Sequence, residues 1–195
     1  MYVCYPLSLR RFEDQLLKCI IVISHETVRF WQIRFGPMFA AQLRKRRIRQ
    51  RSFSLWCWHA DEVFVRVNGV RNYLWRALDI KGAALEAFAS EGQDRKAALA
   101  CLRRAIRRYG GPKIIVTNRL ASYGAALKSL GIKARQRWGR WPNNRAESSC
   151  QVSRRREGVM VRFHNIKTLQ RFADVQPAFH NHFNLERHLV SRSIF

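Results

Sequence analysis

Acidic residues are scarce in this chain. Thirteen Asp and Glu face thirty-seven Lys and Arg in 195 residues, a formal charge of +24 with a pI near 11.4. Such an excess favours a polyanionic partner, with a basic membrane-surface protein as the competing reading. No apolar run approaches the roughly 20 residues that a membrane span needs. No amphipathic Lys-rich face stands out either, so nucleic acid is expected and a membrane is not. The five cysteines, Cys4, Cys19, Cys57, Cys101 and Cys150, are odd in number, widely spaced and without a CxxC pair, which excludes a disulfide scaffold and reads as reduced thiols. The N-terminus, MYVCYPLSLRRF, lacks a basic stretch followed by an apolar one, so no secretory signal is read and a cytoplasmic location is expected. An RRM or KH signature is missing, which argues against a dedicated RNA module. His180, His182 and His188 are not spaced to set three imidazoles on one helical face, so they read as packing or polar contacts rather than a zinc site.

What is present is a 47% apolar content, enough for one globular domain with a small appendage. SLRRFEDQLLK repeats Leu9, Phe12, Leu16 and Leu17 near helical spacing, and Ser24 caps a second helix, HETVRFWQIRF. A short helix followed by a basic, aromatic one carrying Arg29, Trp31 and Arg34 resembles a helix-turn-helix, although the intervening CIIVI has no glycine. Alternatively the two helices pack on the main domain. Arg44 to Arg51, RKRRIRQR, including Arg44, Lys45, Arg46 and Arg47, reads as a linker or helix end lying on phosphates, or as a solvated charge run. WCWHADEVFVRV and NYLWRALD flank Asn68-Gly69, a strong two-residue hairpin turn whose register sets Asp61 opposite Arg76, where a plain ion pair is one reading of Asp61. GAALEAFAS follows as a third strand. DRKAALACLRRAIRRY is an amphipathic helix stopped by Gly110-Gly111-Pro112, its arginines facing DNA or water. KIIVTN is a buried strand of the parallel kind and YGAALKSLG a further helix; Pro177 predicts a kink or split in the last one.

In Trp141–Glu157, WPNNRAESSCQVSRRRE, one acid stands among arginines. Glu147 ahead of Arg154, Arg155 and Arg156 sets a candidate metal ligand beside phosphate-binding side chains; Asn144 three residues earlier equally fits a helix cap that Glu147 completes. Trp138 and Trp141 interleave with Arg135, Arg137, Arg140 and Arg145, either stacking on frayed bases or covering the sheet edge.

Four blocks in order, WHADEVFVRVNGVRNYLWRALD, IIVTNRLASYGAAL, NNRAESSCQVSRRREGVMVRFHNIKTLQRF and HNHFNLERHLVSR, resemble the DDE transposases of bacterial IS6-type (IS26-like) insertion sequences, from about Pro6 to the C-terminus. The resemblance implies an α/β, ribonuclease H-like core over 56–195, preceded by a helix-turn-helix-like segment, 1–43, and a basic linker, 44–55. It implies a triad at Asp61, Asn118 and Glu147 holding two Mg²⁺ or Mn²⁺ ions for DNA strand transfer. Arg29, Arg34, Arg44, Lys45, Arg46, Arg47, Arg145, Arg154, Arg155 and Arg156 would contact DNA. The implied partners are double-stranded terminal inverted repeats and target DNA, bound as a homodimer in the bacterial cytoplasm at the nucleoid, with no small-molecule substrate. At position 118 the family has an acid. An asparagine offers a carbonyl oxygen without charge, so strand transfer is expected to be impaired, and a non-catalytic DNA-binding relic or competitor is the alternative.

Overall fold

Asn68 and Gly69 set the register of the sheet. Both have positive φ, 49° and 79°, the combination a two-residue type I′ turn demands and one that glycine adopts without strain. The turn joins β1 (Cys57–Val67) to β2 (Val70–Asp79) in an antiparallel ladder running from Val67 opposite Val70 to Trp58 opposite Asp79. The computed structural model describes residues 8–49, 57–118, 120–131, 135–138 and 163–183.

A second turn, in which Asp79 Oδ1 accepts from the backbone of Lys81 and Ala83 at 2.9 Å each, leads into β3 (Ala84–Ser90), antiparallel to β2 with an irregularity at Ala77/Leu78. The chain then crosses over through α3 (Arg95–Tyr109). Asp94 caps this helix by accepting from the Ala97 amide at 2.8 Å, and Gly110, with φ of 81°, ends it. β4 (Ile114–Thr117) enters beside β1 and parallel to it. After α4 (Ala121–Ser129), β5 (Arg135–Trp138) pairs in parallel with β4, giving the order β3-β2-β1-β4-β5. A three-stranded meander extended by parallel strands through crossover helices is the ribonuclease H-like arrangement that the resemblance implies.

Each face of the sheet has its own core. Trp58, Ala60, Trp75 and Ala77 face α3 and α4 and pack on Ala98, Cys101, Leu102, Ala105, Tyr123 and Leu127. On the opposite face Val65, Val67, Leu74, Ala87 and Ala89 meet Leu169 and Ala173 of α5 (Ile166–Phe183). β3 lies at the sheet's edge, where a row of unpaired backbone groups would invite another strand. Two side-chain amides of α5 cover that row. Gln170 accepts from Ala89 N at 2.8 Å and donates to Ala87 O at 3.2 Å, and Asn181 accepts from Ala84 N at 3.2 Å and donates to Ala84 O at 2.8 Å.

α1 (Leu9–Lys18) and α2 (His25–Arg49) pack on each other through Phe12 and Val28, with Leu9, Leu16 and Ile23 at the margin. Ser24 Oγ accepts from Thr27 N at 3.3 Å, the cap read from the sequence. α2 then lies against α5: a Cβ on Gly36 would sit 3.4 Å from Val175, and Arg44 Nη1 donates to the Asp174 carbonyl at 2.6 Å.

Arg44–Arg49 form the last turns of α2, the helix-end reading of the basic run, with Ile48 turned onto the main core. One local expectation, the split at Pro177, does not hold. α5 is not split at Pro177: it runs unbroken from Ile166 to Phe183. The lost hydrogen bond is outweighed there by the burial of Val175, Gln176 and Ala178 on either side. No described helix is long and apolar enough to cross a membrane.

Candidate active site

β1 and β4 run in parallel from Cys57 beside Ile114 to Ala60 beside Thr117. One residue further on each strand are Asp61 and Asn118, so the sheet carries two of the three anticipated site positions to adjoining places at its centre. The third, Glu147, lies outside the described residues, as do Arg145, Arg154, Arg155, Arg156 and Trp141.

Strand alternation separates neighbouring acids on β1. Asp61 shares its face with Val65 and Val67, whereas Glu62 shares the other with Trp58 and Ala60. Asp61 is buried and forms the cross-strand ion pair that the hairpin register anticipates. Arg76 Nε donates to Oδ1 at 3.1 Å and Nη2 to Oδ2 at 2.6 Å, both side chains being at most 7% exposed. This is a two-pronged guanidinium–carboxylate contact, the strongest geometry such a pair has.

Asn118 turns toward Glu62. Its Nδ2 donates to Glu62 Oε1 at 2.7 Å, and Gln93 Nε2 reaches the same oxygen at 3.1 Å. The amide oxygen of Asn118 faces the Leu120 backbone N–H at 3.4 Å. Glu62 Oε2 is buried and has no hydrogen-bond partner among the described residues. Burial pushes the Glu62 carboxyl above its ordinary range and the charge of Asp61 adds to this, while the Asn118 and Gln93 hydrogen bonds pull the other way. Tyr123 packs edge-on to Trp75 at 5.4 Å, and burial, with Glu62 nearby, raises its phenol well above the ordinary value. Gln136 of β5 donates to Thr117 Oγ1 at 3.1 Å, tying the outer strand to the end of β4.

Glu62 is the residue that the sequence reading missed. It stands beside Asp61 and looks like an ordinary outward position on a half-exposed strand. Only the threading of β4 next to β1 gives it a partner at 118.

Two Mg²⁺ or Mn²⁺ ions need several hard oxygens converging on one point. Among the described residues no group of three or more His, Cys, Asp or Glu could hold a metal ion. Both Asp61 oxygens face Arg76, and Asn118 has turned its amide nitrogen onto Glu62. In this arrangement the described residues do not fit a divalent ion.

The basic residues anticipated at DNA divide into two groups. Arg29 is exposed and lies 3.2 Å from Glu26, while the Arg34 guanidinium stands over the rings of Phe30 and Phe35 at 5.9 and 6.0 Å. Lys45 and Arg46 are exposed, and the side chain of Arg47 lies outside the described residues. Arg44 is instead held by the Asp174 carbonyl. On α3, Arg108 pairs with buried Glu86 at 2.6 Å and Arg104 lies over Phe88 at 4.7 Å, so these two serve the fold.

Residues 55–186 match a family profile described as a DDE domain, of the IS240 transposase type. The transposase for insertion sequence-like element IS431mec of Staphylococcus aureus strain Mu50 is 28% identical over 133 residues, which cover 68% of this chain and 57% of that protein. The transposase for insertion sequence element IS257 in transposon Tn4003, also from Staphylococcus aureus, has the same identity over the same extent. The match thus spans 57% of the length of these curated relatives. Among solved structures, the HTLV-2 integrase catalytic core domain in complex with magnesium superposes with a TM-score of 0.44 at 14% identity, covering 53% of this chain and 71% of that one. With more than half of its residues inside the DDE profile and its sheet in the ribonuclease H-like order, the chain belongs to the DDE transposases of IS6-type insertion sequences.

Proposed function

We propose that this chain binds double-stranded DNA at the terminal inverted repeats of its element, and that its strand-transfer chemistry is impaired by Asn118. The observation that supports the reading is the adjacency of Asp61 within β1 and position 118 just past β4, where the two strands run in parallel inside a DDE domain. The reaction of this class is a transesterification at phosphorus: a hydroxyl oxygen forms a new P–O bond as the bond to the departing sugar oxygen breaks. A net charge of +24 supports long-range attraction to the phosphate backbone. The exposed Arg29, Arg34, Lys45 and Arg46 of α2 are the described side chains assigned to it. Arg47, Arg145, Arg154, Arg155 and Arg156 complete the set, with Glu147 as third acid, a homodimer pairing two ends, and the bacterial cytoplasm as the compartment. The division into an end-reading segment, 1–43, and a catalytic domain, 56–195, belongs to the same reading.

The experiment is cleavage and joining of an end-bearing duplex in Mg²⁺ or Mn²⁺ by this chain and by Asn118→Asp. The reading expects salt-sensitive, end-selective binding by both proteins and at least tenfold more strand cleavage by the variant. A folded, DNA-binding N118D protein that still does not cut overturns the impaired-enzyme reading. That result leaves the second one, a DNA-binding relic or competitor of intact transposase, which the closed arrangement of Asp61 on Arg76 and Asn118 on Glu62 favours. Equal affinity for unrelated duplexes removes both.

A further inference from the structure

The misfit between the described site and a divalent ion has a specific cause at Asp61. A carboxylate at this depth has lost most of its water and needs a cation. The chain supplies one from the neighbouring strand: Arg76 lies directly opposite Asp61 in the β1–β2 ladder and closes on both of its oxygens. Arginine differs from lysine or histidine in that its guanidinium keeps its proton throughout the accessible pH range, so the contact cannot be discharged by titration. Nor is Arg76 available as a phosphate contact, since it is 5% exposed.

We infer that Arg76 is a resident cation at Asp61, holding the place where DDE chemistry calls for a divalent ion, and that an ion reaches Asp61 only by displacing this guanidinium. The inference rests on the reading of Asp61 as a site acid. It makes Arg76 a positioning residue that acts through Asp61: it fixes the carboxylate while no ion is present and competes with the ion for it. A neutral Asn118 leaves that competition one-sided, because no second carboxylate at 118 helps to draw the ion in. Simple structural pairing would make Arg76 matter for folding alone. A competing cation makes it matter for ion affinity, with opposite sign, so that weakening Arg76 strengthens ion binding.

The test is Mn²⁺ binding without DNA, read by the loss of the free-ion paramagnetic resonance signal and by the thermal midpoint. The proteins are the full chain, Arg76→Lys, Arg76→Gln, and each of these variants combined with Asp61→Asn. Lysine keeps a positive charge but loses the fork, so its hold on Asp61 is weaker than the two-pronged contact of arginine. The expected result is at least tenfold tighter Mn²⁺ binding by R76K and R76Q than by the unaltered chain, abolished when Asp61→Asn is added. At ten times the dissociation constant the midpoint of the Arg76 variants should rise by about 3 °C or more. Mn²⁺ binding by the unaltered chain that is as tight as in R76K and equally dependent on Asp61 overturns the inference. So do folded R76K and R76Q proteins that bind no ion, or failure of both to fold with and without Mn²⁺, because then only arginine can satisfy Asp61. If R76Q folds only when Mn²⁺ is supplied, the exchange is observed directly. Loss of end selectivity in the duplex assay removes the proposed function without touching these outcomes, so the two failures are separable.

Discussion

Asn118→Asp replaces one NH₂ group by an oxygen, and the structure gives that exchange a cost that precedes any catalysis. The amide nitrogen sits 2.7 Å from Glu62 Oε1 as a donor. A carboxylate in its place has nothing to donate and brings a second negative charge to the contact. Two unit charges relaxed to about 4 Å repel by about 4 kcal/mol at an effective dielectric constant near 20. The lost hydrogen bond to a charged acceptor is worth about 1.5–3 kcal/mol more. Because Glu62 is only partly buried, solvent and rotation of the new side chain recover a good part of this, leaving a net loss of about 2–3 kcal/mol at pH 7 without divalent ions. For a chain of this length that is a fall of about 4–12 °C in the thermal midpoint. The sign of the pH dependence follows from the direction of the Glu62 shift. Its carboxyl is already raised by burial, and a second acid raises it further. A carboxyl raised in the folded state contributes stability that is present at low pH and lost as pH rises through the folded value. The gap between N118D and the parent should therefore be widest at pH 7–8 and narrow as the pH falls toward the ordinary carboxylate value of 4.5. Urea unfolding of both proteins across this range, in chelator, measures it. Equal stability at pH 7, or a gap that widens toward acid, would refute the geometry on which the argument rests.

Glu62→Gln removes the charge but keeps an oxygen for Asn118 and Gln93, so it should stabilise the chain by about 1 kcal/mol at pH 7 in urea unfolding. By the same sign the gain should shrink below pH 5, and a loss of stability at pH 7 would contradict it. Gln170→Leu takes away the group that accepts from Ala89 N and donates to Ala87 O. It should cost about 1–3 kcal/mol and speed hydrogen exchange at the Ala89 amide, and unchanged protection there would show that the β3 edge does not depend on α5.

The parts of this fold that were readable in the sequence are those specified by short-range chemistry. The Asn68-Gly69 turn fixes the hairpin register, and counting back from it along the sequence puts Asp61 opposite Arg76, the pairing the sheet has. Asp94 and Gly110 mark both ends of α3 for equally local reasons. What escaped the reading depends on distant partners. The sequence of β5, RQRW, has no apolar alternation, and it becomes a strand because β4 offers a parallel edge. Arg44–Arg49 fits either a linker or a helix end by charge. Arginine and lysine are good helix formers, and it is Ile48 finding the core once α2 lies on α5 that decides for the helix. Proline at 177 is a local helix breaker that tertiary packing overrides.

The site shows the same division at the scale of single atoms. Asp61 and Glu62 are adjacent in the chain but project from opposite faces of β1, so each must find its own partner: Arg76 of β2 for one, and Asn118 past β4 with Gln93 before α3 for the other. Position 118, one step past the end of β4, lies at the rim beside both acids. An amide there is drawn to Glu62 because it can donate. A carboxylate would be repelled by Glu62 and would have to be balanced by a cation not supplied by this pairing. The residue type at 118 therefore decides whether the rim closes on itself, as it does here through the Asn118–Glu62 hydrogen bond, and on the proposed function an acid there would instead demand an ion.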